Sequence, residues 1–61
     1  MKTKFYNISE LLAELVKQGK ITRQSAVRRL SLINMGGMAM ATAGIQHLYT
    51  VDNSGEFYSI N

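Results

Sequence analysis

Residues 7–29 read Asn-Ile-Ser-Glu-Leu-Leu-Ala-Glu-Leu-Val-Lys-Gln-Gly-Lys-Ile-Thr-Arg-Gln-Ser-Ala-Val-Arg-Arg, and this stretch decides the fold. Asn7 is a favourable N-cap, and Glu10 three residues later completes the signature of a capping box. Tyr6 and Leu11 fall where a hydrophobic staple sits. Behind the cap, Ile8, Leu11, Leu12, Leu15 and Val16 follow the spacing i, i+3, i+4, i+7, i+8, which is one face of a helix. Gly19 ends that pattern as a left-handed C-cap, and Lys17 and Lys20 suit the negative end of the helix dipole. The spacing predicts a helix over 8–18. Ile21 continues the apolar surface, and Thr22 caps a second helix expected over 23–34. Its apolar stripe is Ala26, Val27, Leu30 and Ile33, with Arg23, Gln24, Arg28 and Ser31 off that stripe. Only Gly19 to Thr22 join the two helices, so they must pack on one another, antiparallel or at a steep angle.

Outward from this pair the signals change. Residues 2–6, Lys-Thr-Lys-Phe-Tyr, are β-prone and read as an edge strand whose lysines discourage further pairing. On the other side, Asn34, Gly36 and Gly37 break the helical pattern. Residues 38–47, Met-Ala-Met-Ala-Thr-Ala-Gly-Ile-Gln-His, are small, apolar and uncharged. Alanine and methionine favour a short third helix there. Gly44 and the Met/Ala alternation leave a strand or packed loop open. Leu48 to Val51 and Glu56 to Ile60 are β-rich runs around Asp52-Asn53-Ser54-Gly55, which predicts a hairpin with Gly55 at positive φ in a bulged turn. The expected fold class is a small α+β single domain over residues 1–61. It has two or three helices, then a C-terminal β-hairpin, with an N-terminal edge strand.

Composition narrows the function classes. A chain of 61 residues buries only about 60% of its unfolded surface, so its core is small. With 46% hydrophobic and 18% charged residues it is too apolar to be disordered. It has no cysteine, one histidine, and only Glu10, Glu14, Asp52 and Glu56 as acids, so neither a disulfide staple nor a structural metal site is expected. A partner, whether a second copy or a larger protein, is the stabiliser left. All seven basic residues lie before position 30, opposed there by two acids, so that half carries +5 and the remainder −2. Such asymmetry points to a polyanionic partner or to a solvated basic face.

Catalysis, cofactors and small-molecule substrates are not expected. His47 lies beside an apolar run, where a structural role outweighs general-base work. Glu10 and Glu14 sit one helical turn apart, and Glu14 is placed to pair with Lys17 or Lys20. Gly36-Gly37 lacks the spacing of a phosphate loop. Arg28-Arg29 precedes 22 residues, Leu30 to Val51, without Asp, Glu, Lys or Arg, and Ala41-Thr42-Ala43 follows. That resembles a twin-arginine export signal. Val27 and Ser31 depart from the pattern, however, and cleavage would leave too short a chain. As a membrane span the stretch is weakly apolar. A core segment, no membrane partner and a cytoplasmic location are the expectation.

The basic helix carries the chemistry. Arginine forks onto guanine or clamps phosphate, and glutamine pairs with adenine. The N–H groups at Thr22 face an anion, with Lys17 and Lys20 close by. The order helix, tight turn, basic helix, short helix, hairpin resembles a winged-helix domain. Phe5 to Leu12 resembles, over eight residues, the first helix of small phage excisionase-like DNA-binding proteins. The resemblance implies a small non-catalytic regulator of transcription on double-stranded DNA. Lys17, Lys20, Thr22, Arg23, Gln24, Arg28 and Arg29 would touch the duplex, and Asn53 and Ser54 would act as wing contacts. The hairpin carries Asp52 and Glu56 and no basic residue, and the third helix has no charge, so helix 2 is the expected reader. The other class is a phage- or plasmid-type inhibitor or adaptor, binding a larger protein through the Met/Ala-rich 35–45 segment and the hairpin. Met35, Met38 and Met40 would be its contacts, unless they fill the core.

Overall fold

Leu11, Leu12 and Leu15 lose all contact with solvent, and the rest of the chain is arranged around them. A computed structural model describes residues 2–5 and 7–60. The elements run β1 (Lys2–Phe5), α1 (Ile8–Lys17), α2 (Arg23–Asn34), α3 (Met38–Ala41), a 3-10 turn (Gln46–Leu48), β2 (Tyr49–Val51) and β3 (Phe57–Ile60). This is the α+β arrangement expected: helices first, a C-terminal antiparallel hairpin, and an N-terminal edge strand. The strand order is β1-β3-β2, both pairings antiparallel. Phe57 of the central strand pairs with Phe5 on one side and Val51 on the other. α1 packs on β3 and on α2, and α2 carries α3.

Helix α1 begins where its cap predicts. Asn7 Oδ1 accepts the Glu10 N–H at 3.0 Å, while Asn7 Nδ2 donates to Glu10 Oε1 at 3.1 Å. The acid thus returns to the cap's side chain rather than to its backbone. The staple through Tyr6 lies outside the described residues. The helix ends one residue earlier than expected, with Gln18 as C-cap and Gly19 at φ +76°. Gly19 N–H bonds Val16 O at 3.0 Å and Lys20 N–H bonds Leu15 O at 2.9 Å, so the last carbonyls are satisfied by a Schellman motif. Ile8, Leu11, Leu12 and Leu15 are buried, and Val16 is half-buried against the same core. Burying a leucine contributes about 1.5–3 kcal/mol, so this one stripe supplies much of the driving force.

Three expectations are corrected. Val27, expected on the apolar stripe, is 57% exposed. Ala26, Leu30 and Ile33 keep the i, i+4, i+7 spacing that faces α1 and the core, and Val27 stands one residue round from it. The short third helix expected within 38–47 is a single turn, Met38–Ala41, but Leu48, expected in the first hairpin strand, lies outside that strand. Thr42 Oγ1 bonds back to Met38 O at 3.0 Å, the chain turns through Gly44, and Gln46–Leu48 is 3-10. Leu48 therefore belongs to that turn, and β2 starts at Tyr49. Finally, Glu14 accepts from Gln18 Nε2 at 2.9 Å rather than from a lysine, while Lys20 Nζ donates to Ile60 O at 3.1 Å.

The hairpin turn is tied by one side chain. Gly55 N–H bonds Asp52 O and Asp52 N–H bonds Glu56 O, each at 3.1 Å, with Gly55 at φ +85°. That is the bulged turn expected. Asp52 Oδ1 accepts from Ser54 N–H, Ser54 Oγ and Glu56 N–H, and Oδ2 accepts from Tyr58 Oη at 2.9 Å. The Ser54 hydroxyl first, then the Glu56 N–H, lower the Asp52 pKa to about 2.

Candidate nucleic-acid interface

The exposed residues of α2 are Arg23, Gln24, Val27, Arg28, Ser31 and Asn34. At about 100° per residue they span one continuous arc of roughly 140°. The opposite side holds Ala26, Leu30 and Ile33, which face the core. The same spacing that buries the helix therefore gathers its hydrogen-bonding side chains on one open side. Among the described residues Arg23, Gln24, Arg28 and Ser31 make no side-chain hydrogen bond, and no salt bridge neutralises either arginine. Val27 stands within the arc, between Arg23 and Ser31.

The N-terminal end of α2 adds to this side. Thr22 Oγ1 accepts the Ser25 N–H at 3.0 Å, so its hydroxyl caps the helix. The N–H groups of Arg23 and Gln24 lie in the first turn, where no intrahelical acceptor exists. Lys17, in the last turn of α1, is exposed. Lys20 is exposed as well, with its ammonium held near the end of β3. The tight turn thus sets two lysines next to the start of the basic helix. Between α1 and α2 runs a groove of about 390 Å³, lined by Ser9, Ala13, Val16, Arg23, Ala26, Val27 and Leu30.

Arg29 does something else. It is half-buried, its Nε donates to Ser25 Oγ at 3.1 Å, and its Nη1 donates to Ala41 O at 2.9 Å and Ala43 O at 2.7 Å. The guanidinium closes the C-terminal end of α3. Neighbours in sequence, Arg28 and Arg29 thus have different work, one open to solvent and one bound to the fold. No local signal in the sequence separates them, because the acceptors lie 12 and 14 residues further on.

At the hairpin, Asn53 and Ser54 are exposed, but the Ser54 hydroxyl is engaged by Asp52. The tip offers carboxylates and no cation. The methionines are not core: Met35 is 80% exposed, Met40 67% and Met38 43%. His47 is exposed in the 3-10 turn. Among the described residues no three His, Cys, Asp or Glu side chains converge to hold a metal, and no helix is long and apolar enough to cross a membrane. Compared with protein-family models, with curated proteins and with solved structures, the chain matches none.

Proposed function

We propose that this chain is a small DNA-binding regulatory protein that lays the open arc of α2 on the duplex. The observation that carries the reading is the unengaged set on that arc: Arg23, Gln24, Arg28 and Ser31, all exposed and without side-chain partners among the described residues. A surface that needed only solubility would not require fork-shaped and amide donors side by side, whereas base edges and phosphates do. Helix-turn-helix proteins read the major groove with the N-terminal residues of the second helix, while the first crosses the backbone. Here α2 holds that second place. Strands β2 and β3 form the hairpin that follows the helices, with β3 central between β1 and β2, an order that resembles a winged helix. In this reading Arg28 and Gln24 meet base edges, and Arg23, Lys17 and Lys20 meet phosphate. Arg29 shapes the fold, and the acidic hairpin tip contributes little to binding.

The test is fluorescence anisotropy of a labelled mixed-sequence duplex with the wild-type chain and with Arg23→Ala/Arg28→Ala. The reading expects binding by the former and at least a tenfold loss in the latter, with both folded by circular dichroism. Equal binding by both sinks it. The reading as an inhibitor or adaptor of a larger protein draws on the exposed methionines. It ranks second, because that surface carries no charge with which to select a foreign partner.

A further inference from the structure

We propose that residues 34–44 form the seam of a symmetric dimer between two copies of this chain. Eight of these eleven residues are exposed: Asn34, Met35, Gly36, Met38, Ala39, Met40, Ala43 and Gly44. None is charged. The three large side chains alternate with glycine and alanine along the chain. A two-fold axis brings the same patch onto itself, so large residues of one copy meet small residues of the other.

The carbonyls at the centre of this segment, Gly37 to Ala43, are largely satisfied within the chain. An interface core tolerates few unpaired carbonyls. Gly37 O accepts from Ala41 N–H, Met38 O from Thr42 N–H, Met40 O from Ala43 N–H and Thr42 O from Ile45 N–H. Ala39 O receives Thr42 Oγ1 at 3.4 Å. The two that remain, Ala41 O and Ala43 O, are taken by Arg29. Six of the seven carbonyls from Gly37 to Ala43 are therefore satisfied from within the chain, and Ala39 O shares the single Thr42 hydroxyl hydrogen with the nearer Met38 O. An exposed surface turn has water for this purpose and needs no such provision.

Charge selects the occupant. The first 29 residues carry +5, so two copies meeting on that half would set like charges together. From Leu30 to Val51 there is no Asp, Glu, Lys or Arg, and a second copy meets no repulsion there. Area is sufficient as well. A seam at the small end of stable contacts takes about 600 Å² per copy, roughly a seventh of this chain's 4136 Å² surface. Eleven mostly exposed residues out of 61 supply an area of that order. Dimerisation would also answer the small core, which has neither disulfide nor metal to support it.

Sedimentation equilibrium of the full chain between about 1 μM and about 1 mM, a span that covers weak to moderate self-association, tests the seam. The expected result is a rise from the 6.8 kDa monomer towards twice that mass, with little change when salt is raised. Met40→Glu and, separately, Met35→Glu should stay at the monomer mass while keeping the wild-type circular dichroism, since both side chains are exposed. Asn53→Glu, on the hairpin, should dimerise as wild type. A wild-type chain that remains monomeric at about 1 mM overturns the proposal, as does undiminished dimerisation of both glutamate variants. A monomeric wild type would leave the methionines to a foreign protein. None of these readings depends on DNA.

Discussion

Replacing Arg29 with methionine should unfold a large part of this molecule's stability margin, and replacing Arg28 with methionine should not. Methionine keeps the aliphatic stem of arginine and removes the guanidinium. At position 29 that deletes donors to Ser25 Oγ, Ala41 O and Ala43 O at 3.1, 2.9 and 2.7 Å. Ala43 is exposed, so water replaces the lost donor there. Ala41 has no exposed surface, so its carbonyl is left poorly solvated. An unsatisfied buried acceptor costs about 1–3 kcal/mol, and a loss of about 2 kcal/mol is the expectation. A 61-residue domain has about 3–9 kcal/mol in total at the usual stability per residue. The thermal midpoint should fall by about 8–16 °C. Arg28 is exposed and makes no hydrogen bond among the described residues, so Arg28→Met should stay within about 0.5 kcal/mol of wild type. Urea titrations followed by circular dichroism, at one fixed protein concentration, read both variants. An Arg29→Met midpoint equal to wild type would refute the reasoning, as would an equal loss in Arg28→Met.

The hairpin turn should weaken in acid. The Asp52 pKa is depressed to about 2 from an ordinary 3.8, so its contribution is full above 3.8 and is lost as pH falls through about 2. Protection of the Ser54 and Glu56 amides, taken relative to the intrinsic exchange rate at each pH between about 5 and 1.5, should fall in that window. Exchange in Asp52→Asn that keeps the same pH dependence would exclude the carboxylate as the cause. Ser59 is fully buried in the central strand, and among the described residues its hydroxyl has no hydrogen-bond partner. Ser59→Ala should therefore raise stability by about 1 kcal/mol, since a buried unpaired hydroxyl costs that order of free energy. A loss of that size in a urea titration would show that the hydroxyl is supported after all.

What the chain reveals of itself follows the range of the interactions. Helix α1, its caps, the start and end of α2, and the hairpin turn were legible because each rests on residues within a few positions. Asn7 reaches Glu10, Leu15 O meets Lys20, and Asp52 meets Ser54, Gly55 and Glu56. Met/Ala propensity predicts the short third helix but not its end, which one Thr42 hydroxyl and the turn at Gly44 set after four residues. Val27 was assigned inward because valine is apolar, although its angular place on the helix puts it with Arg23 and Ser31. For the methionines the sequence leaves a partner surface and core filling both open, and Met35, Met38 and Met40 are exposed. The role of Arg29 was hidden altogether, since nothing near it in sequence marks Ala41 and Ala43 as its acceptors. The basic arc was legible in outline, and the structure separates its free members from the one held by the fold.

The salt dependence of duplex binding bears most directly on the DNA reading. Arg23, Arg28, Lys17 and Lys20 are exposed and offer up to four phosphate-neutralising charges. Four such contacts give a log–log slope of about −3.6, an affinity loss on the order of 10²-fold between about 50 and 200 mM salt. The account predicts that loss for the wild-type chain, and a slope shallower by roughly 1.8 for Arg23→Ala/Arg28→Ala. No binding at the lower salt, or an affinity that ignores salt, would contradict it.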